Sequence, residues 1–115
     1  MNEFLLVFRN DATASQVQMS PDQMQTMMKT WMDWIGGIAA QNKLVSPGNR
    51  LAPNGKVLSP NNVVTDGPFV EIKEAIGGYI IVKAESLEEA TALSHGCPIL
   101  DVNGTVEIRM IISMD

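Results

Sequence analysis

Two charged residues near the carboxyl end of the chain, Glu107 and Arg109, are spaced so that they share one face of a strand. They alternate with Val106, Ile108 and Met110, and a period of two places the two sets on opposite faces of a sheet. A guanidinium in that position can bind a carboxylate-bearing ligand through two parallel N–H donors. The same charges can instead form an ion pair at the rim of a subunit interface, and the spacing leaves both interpretations open.

A third residue with possible chemistry, Asp66, stands in the stretch TDGPFVEIKEAIGG, residues 65–78. An Asp-Gly pair is a strong turn signal, and the carboxylate can accept hydrogen bonds from backbone N–H groups two residues further on. The pair Gly77-Gly78 indicates another turn at the end of the stretch. Beside a pocket, the Asp66 carboxylate could act as a general base or bind a cation. Asp66 is therefore either a turn residue or the candidate catalytic residue.

The remaining charged candidates are weaker. Glu71, Lys73 and Glu74 are typical of a solvated strand face with modest pairing between neighbouring strands. Lys73 is the member of this group that could contact an anion. Arg50 lies in a proline-containing segment and could also anchor an anion, although an arginine in a loop is usually solvated.

His95 and Cys97 do not indicate a catalytic or metal site. His95 falls in the last turn of a predicted helix, where a cationic imidazole is favoured by the helix dipole. Cys97 follows that helix end, which is the wrong end for lowering the pKa of a thiol. One His and one Cys two residues apart do not supply the convergent ligands that a metal needs. No glycine-rich phosphate loop or serine nucleophile elbow is present, so neither a metal nor a cofactor is predicted.

Composition favours one cytoplasmic domain spanning residues 1–115, with 45% hydrophobic and 18% charged residues. The net charge is −5 and the basic residues are scattered, which argues against nucleic acid or an anionic membrane as a partner. The single cysteine cannot form an internal disulfide and so favours a reducing compartment. The sequence shows neither a signal peptide nor an apolar run of the roughly 20 residues that a membrane span requires.

Capping signals predict two helices. The first begins at Ser20-Pro21-Asp22-Gln23 and ends near Gln41, with Asn42 as a left-handed cap. Its apolar stripe is predicted to be core and contains Met24, Met28, Trp31, Ile35 and Ile38, widened by Met27 and Trp34. The second helix begins at the capping box Ser86-Leu87-Glu88-Glu89 and ends at Gly96 and Pro98.

The strands predict the topology. Phe4–Phe8 is apolar on both faces, and so is Tyr79–Ala84 until Lys83, whereas the last strand, Thr105–Ile112, alternates. Residues 46–62 are predicted to be irregular, with short strand candidates at Lys56–Leu58 and Val63–Thr65. The resulting β-α-β-β-α-β order is an α+β, ferredoxin-like arrangement, with the first and third strands in the middle and both helices on one face. The other face needs cover, so we expect a homodimer that packs sheet against sheet.

Several motifs also resemble a known family. TDGPFVEIKEAIGGYIIVKAESLEEA, followed by GCP and GTVEIRMI, resembles the DGPF-type branch of the YCII-related domain family, and WMDWIGGIAAQNKLV is similar to the first helix of that family. The resemblance implies a dimeric α/β barrel with a pocket between two sheets. Some relatives in the wider superfamily are enzymes that act on small organic molecules through a proposed His-Asp pair. This chain departs from that pattern, because its one histidine, His95, is far from the first strand and helix.

Two functions remain open at this point. The first is a small-molecule binding protein or cofactor-independent enzyme with a small anionic organic ligand and a loop, Asn10–Met19, that closes over the pocket. Its predicted site residues are Asp66 as acid-base group and Arg50, Lys73, Glu107 and Arg109 as ligand-binding residues. The alternative is a non-catalytic dimerisation or regulatory module in which the DGPF turn is architectural.

Overall fold

The computed structural model describes residues 1–10, 20–67 and 75–114. The strands are β1 (Asn2–Asn10), β2 (Leu44–Arg50), β3 (Gly55–Ser59), β4 (Val63–Gly67), β5 (Ala75–Ala84) and β6 (Thr105–Met110). The helices are α1 (Pro21–Ala40) and α2 (Leu87–Ser94). Among the described residues, neither helix has the length and hydropathy that a membrane crossing requires. The predicted closing loop beyond Asn10, together with Glu71, Lys73 and Glu74, lies outside the described residues.

The main sheet has four strands in the order β2-β5-β1-β6, and all its neighbours are antiparallel. In chain order, β1 and β5 are the first and third strands of this four-stranded sheet. Both are central, as their two apolar faces predicted. This arrangement confirms the ferredoxin-like α+β fold. Strands β3 and β4 form a hairpin that is a separate two-stranded sheet. In the chain, this hairpin lies between β2 and β5, which are direct neighbours in the main sheet.

The core lies between the helices and one face of this sheet. Phe4, Leu6 and Phe8 of β1 are at most 5% exposed, and they meet a second set of buried side chains from β5, Ile80, Val82 and Ala84. Two edge-to-face aromatic contacts hold helix α1 against β1, with ring centroids 5.0 Å apart for Phe8 and Trp31 and 5.8 Å apart for Phe8 and Trp34. Within α1, the rings of Trp31 and Trp34 make a further contact of the same kind at 5.8 Å. Each fully buried side chain of this size contributes about 1.5–3 kcal/mol.

The predicted limits of α1 are confirmed. The backbone N–H of Gln23 donates to Ser20 Oγ at 3.1 Å, and the N–H of Ser20 donates to Gln23 Oε1 at 2.9 Å, which is a complete capping box. At the other end, Asn42 has a φ of 59° and ends the helix in the left-handed region.

The predicted burial of Met24 and Met28 on α1 is wrong, whereas Met27 is partly buried. Met24 is 48% exposed and Met28 is 59% exposed. The α1 residues that join the core all lie in the second half of the helix: Trp31, Trp34, Ile35 and Ile38. Helical periodicity identifies an apolar face, but it does not show how far along that face the sheet extends.

Strand β2 corrects the prediction that residues from Ser46 onward are irregular. Leu44–Arg50 is the edge strand beside β5, and its register shifts on both sides of Ser46. Pro47 is tolerated because an edge strand has N–H groups that need no partner in the sheet. Gly48, with a φ of 62°, supplies the left-handed residue that the bulge requires. The two short strand candidates of the sequence pair with each other as the β3–β4 hairpin.

The two pairs that were predicted to form turns, Asp66-Gly67 and Gly77-Gly78, lie in strands β4 and β5. Gly77 is the extra residue of a bulge in β5, since Phe8 pairs with Gly78 and Arg9 pairs with Ile76. A Cβ on Gly78 would lie 2.9 Å from the carbonyl oxygen of Asn49, so the glycine permits close approach of β2. Bulges use the same permissive residue as turns, which explains the misassignment.

Candidate functional site

The face of the main sheet opposite the helices, which we call the open face, carries a mixed set of side chains. The shortest extent of the molecule, 18 Å, corresponds to one sheet and one helix layer. Strand alternation from the buried Phe4, Leu6 and Phe8 assigns the open face. Its members include Glu3, Leu5, Val7, Arg9, Asn49, Ile76, Tyr79, Ile81, Lys83, Glu107 and Arg109.

Strand register aligns these side chains in rows across the sheet. One row runs from Asn49 through Tyr79 and Val7 to Glu107, with one residue from each strand. The neighbouring row contains Ile81, Leu5 and Arg109. The middle of the open face is therefore apolar, while polar groups stand at both edges. This is the composition of a surface that holds an organic body and orients it by its polar ends.

At the β6 edge, Glu107 binds two guanidinium groups. Arg9 Nε donates to Glu107 Oε1 at 3.2 Å, and Arg109 Nη1 donates to Glu107 Oε2 at 3.2 Å. The side chain of Arg9 is 25% exposed and that of Arg109 is 73% exposed. The hydrogen bond from Arg109, followed by that from Arg9, lowers the pKa of the Glu107 carboxyl. At this edge two guanidinium groups therefore already bind a carboxylate, that of Glu107.

At the β2 edge, the side chains of Asn49 and Tyr79 form a neutral polar pair. Asn49 Nδ2 donates to the Tyr79 hydroxyl oxygen at 3.1 Å. The two residues are register partners on β2 and β5, so the bond is between directly opposite side chains. Tyr79 is half-buried, and its ring extends the apolar middle of the open face.

Of the predicted site residues that the structure describes, Glu107 and Arg109 are the two that it brings together. Arg50 ends β2 at the opposite edge of the sheet, and its register partner Gly78 lies opposite Phe8, whose side chain is on the helix side. Arg50 and Arg109 therefore lie at opposite edges of the sheet and on opposite faces, with Arg50 on the helix side and Arg109 on the open face. Lys73 lies outside the described residues.

Asp66 lies on the β3–β4 hairpin, opposite Lys56. Its carboxylate is 85% exposed and forms an ion pair with the Lys56 ammonium group. The predicted turn is corrected, because Asp66 and Gly67 are in β4 and the hairpin turns at Asn61 and Asn62, which have φ values of 67° and 61°. Asparagine adopts this left-handed conformation readily.

Sequence reasoning missed three members of the open face: Arg9, Asn49 and Tyr79. Arg9 continues the alternation of Leu5 and Val7, so its face was readable from the sequence. Tyr79 likewise shares the phase of Ile81. Asn49 carried no signal, because Pro47-Gly48 gives the strand that positions it the composition of an irregular segment.

His95 and Cys97 lie apart from the open face. His95 is the exposed C-cap residue of α2. Cys97 is 2% exposed, and burial raises its pKa to about 11. Within the described ranges, no three His, Cys, Asp or Glu side chains converge as metal ligands.

A cleft of about 460 Å³ lies on the helix side, between α1 and α2. Its charged lining is largely self-paired, since Lys43 Nζ lies 2.9 Å from Glu89 Oε1 and the hydrogen bond from Lys43 lowers the pKa of Glu89. Trp34 Nε1 donates to the carbonyl oxygen of Leu93 at 3.1 Å at the same place. These contacts link the helices, so the cleft is a less suitable ligand site than the open face.

Comparison with known proteins shows the family of the chain and a distant likeness to a solved structure. None of the curated proteins matches the chain. Among solved structures, 5-chloro-2-hydroxyhydroquinone dehydrochlorinase from Burkholderia phenoliruptrix, in complex with 2,5-dihydroxybenzoquinone, is similar, with 16% identity over 95% of this chain and 93% of that chain and a TM-score of 0.43. That similarity is too low to carry an argument about activity. The sequence pattern of the YCII-related domain matches residues 4–115, and the chain therefore belongs to the YCII-related domain family.

Proposed function

We propose that the open face binds a small organic anion and that the chain is a small-molecule binding protein or a cofactor-independent enzyme. The observation that carries the proposal is the Glu107 carboxylate, which is held by Arg9 and Arg109 beside an apolar surface. A guanidinium has five N–H donors, and Arg109 uses Nη1 to bind Glu107. Other donors of this exposed group can bind a ligand carboxylate, while Leu5 and Ile81 contact the ligand body.

A homodimer is part of the proposal. Leu5, Val7 and Ile81 form an apolar surface on the open face, and two such surfaces packed together would enclose the ligand. Exclusion of water strengthens the attraction between a guanidinium and a carboxylate, because the effective dielectric constant falls. If a reaction is catalysed, Asp66 is the proposed acid-base group and Lys73 is a further proposed anion contact. Arg50 is proposed as an anion contact at the β2 edge, on the helix side of the sheet and not on the open face.

The second function, a non-catalytic dimerisation module, is favoured by one observation. Val7 is 8% exposed although it lies in the middle of the open face, so that part of the surface already resembles a core. In this case the Glu107 cluster is an interface ion pair and two facing sheets leave no room for a ligand.

A titration with benzoate separates these functions. Backbone amide shifts are measured by NMR for the wild type and for Arg109→Gln, with Lys29→Gln as the control. Lys29 lies on α1 with a side chain that is 77% exposed, so its substitution removes the same charge without changing the open face. We expect saturable shifts on β1, β5 and β6 that are retained in Lys29→Gln and strongly weakened in Arg109→Gln.

Light scattering during the same titration reports the oligomeric state, which we expect to be a dimer. A dimer without benzoate shifts on the open face would favour the dimerisation module. Equal weakening by both substitutions would show that benzoate responds to net charge alone and would contradict the proposed site.

A further inference from the structure

We infer that the Tyr79 hydroxyl is a second ligand anchor and that the ligand is an elongated organic anion with an oxygen acceptor at the end opposite its carboxylate. This inference rests on the proposed function and specifies the class of ligand. It follows from the Asn49–Tyr79 pair, from the row that joins this pair to Glu107, and from the way β2 is shaped around Tyr79.

The Asn49–Tyr79 bond leaves the phenolic proton available. Asn49 Nδ2 is the donor and the Tyr79 oxygen is the acceptor, so the O–H of Tyr79 can still donate. Among the described residues, no acceptor for that proton is found. The Asn49–Tyr79 bond is exposed in the single chain, so water can accept this proton there. In the proposed dimer the site is enclosed, and a donor without a partner becomes unfavourable. An oxygen of a bound ligand would satisfy it.

The two polar edges are separated by an apolar span. Tyr79 pairs with Val7, and Val7 pairs with Glu107, so Tyr79 and Glu107 are two strand spacings apart, or about 10 Å. Leu5 and Val7 lie between them. A ligand that extends across this span can place its carboxylate at Arg109 and a phenolic or keto oxygen at Tyr79.

The position of Asn49 is fixed by the bulge in β2. Gly48 has a φ of 62°, and a Cβ at this position would lie 1.7 Å from the carbonyl oxygen of Tyr79. The backbone of β2 is thus pressed against Tyr79, and the bulge turns Asn49 toward its hydroxyl. Asn49 is therefore a positioning residue, which acts on the ligand through Tyr79.

The test compares aromatic acids that differ by one para hydroxyl. The pairs are benzoate with 4-hydroxybenzoate and cinnamate with 4-hydroxycinnamate, which has the longer body. Affinities are measured by calorimetry for the wild type, Tyr79→Phe, Asn49→Ala and Arg109→Gln, and folding is checked by amide NMR spectra. Tyr79 is the single tyrosine of the sequence, so 3-fluorotyrosine labelling gives one fluorine signal that reports contact at this residue.

In the wild type we expect the para hydroxyl of the ligand to increase affinity about 2- to 12-fold, which is the range of one hydrogen bond. This increase is expected at least for 4-hydroxycinnamate compared with cinnamate. Tyr79→Phe should remove this increment and leave binding of the parent acid unchanged, while Asn49→Ala should reduce the increment. Arg109→Gln should weaken both members of a pair equally. The fluorine signal should move further with the hydroxylated acid.

Three results would overturn the inference. If the parent acids bind but the hydroxyl adds nothing in either pair, or if Tyr79→Phe keeps the increment, the Tyr79 anchor is wrong while the proposed function stands. If none of the acids binds, the proposed function fails and the inference fails with it. Failure of the inference can be distinguished from failure of the proposed function, because benzoate and cinnamate lack the para hydroxyl and test binding at Arg109 alone.

Discussion

Arg9 Nε donates to Glu107 Oε1 at 3.2 Å, although the two residues are 98 positions apart in the chain. Pairing of β1 with β6 brings them together, because Glu107 lies opposite Val7 and Arg9 is two residues further along the same face. Diagonal neighbours at this distance are within reach of long side chains. The carboxylate that seemed to have one partner, Arg109, therefore has two.

The first prediction concerns the pH dependence of Glu107. Hydrogen bonds from Arg109 and Arg9 lower its pKa in the folded state, so its contribution to stability is complete above the unfolded pKa and is lost as the pH falls through the folded value. Glu107→Gln should lower the thermal midpoint at pH 7, and the difference from wild type should shrink progressively as the pH falls below the unfolded pKa of about 4.3. Glu85→Gln is the control, and a difference for Glu107→Gln that does not change with pH would contradict the ion pairs.

The second prediction compares two glycines with opposite expected effects. Gly48→Ala places a Cβ in the left-handed region and 1.7 Å from the Tyr79 carbonyl oxygen, so it should lower the free energy of unfolding by at least about 1–3 kcal/mol. Gly36→Ala, with no atom within 4 Å of its Cβ, should raise that free energy by up to about 1 kcal/mol through helix propensity. Urea unfolding at one protein concentration measures both. Equal effects of the two substitutions would disprove the close approach of β2.

The third prediction concerns the thiol of Cys97. Burial raises its pKa from 9.0 to about 11, so the thiolate fraction at pH 8 should be about 100-fold lower than for an unperturbed thiol of that reference pKa. Alkylation by iodoacetamide should be slow by at least that factor in the native protein and fast in urea. Rapid native alkylation would show that the site opens. The same shift predicts that stability declines as the pH rises from about 9 to 11, because the unfolded thiol ionises first.

The fourth prediction addresses Asp66. Its ion pair with Lys56 is exposed, with side chains 85% and 71% accessible, and such pairs contribute about 0–1 kcal/mol. Asp66→Asn and Lys56→Gln should each change the free energy of unfolding by less than about 1 kcal/mol, and 1 M salt should reduce the change. If either substitution costs more than about 2 kcal/mol, the carboxylate has a folding role beyond this pair. A small effect would leave a functional role as the remaining reason for the carboxylate.

Part of the fold was readable from local chemistry. The start and end of α1 followed from Ser20 and Asn42, because caps satisfy backbone groups within a few residues. The central positions of β1 and β5 followed from their two apolar faces. Strand β2 was not readable, because Pro47-Gly48 has the composition of a turn and acts as a bulge only when β5 lies beside it.

The sequence by itself determined the interior strands, the start and end of α1 and the shared face of Glu107 and Arg109, because alternation and capping act within one element. Tertiary structure decided that Arg9 joins Glu107, that Asn49 reaches Tyr79 and that Met24 and Met28 remain exposed. These outcomes depend on strand register and on how far the sheet extends beneath α1. Register is set by bulges and by the neighbouring strand, so no local pattern in the sequence contains it.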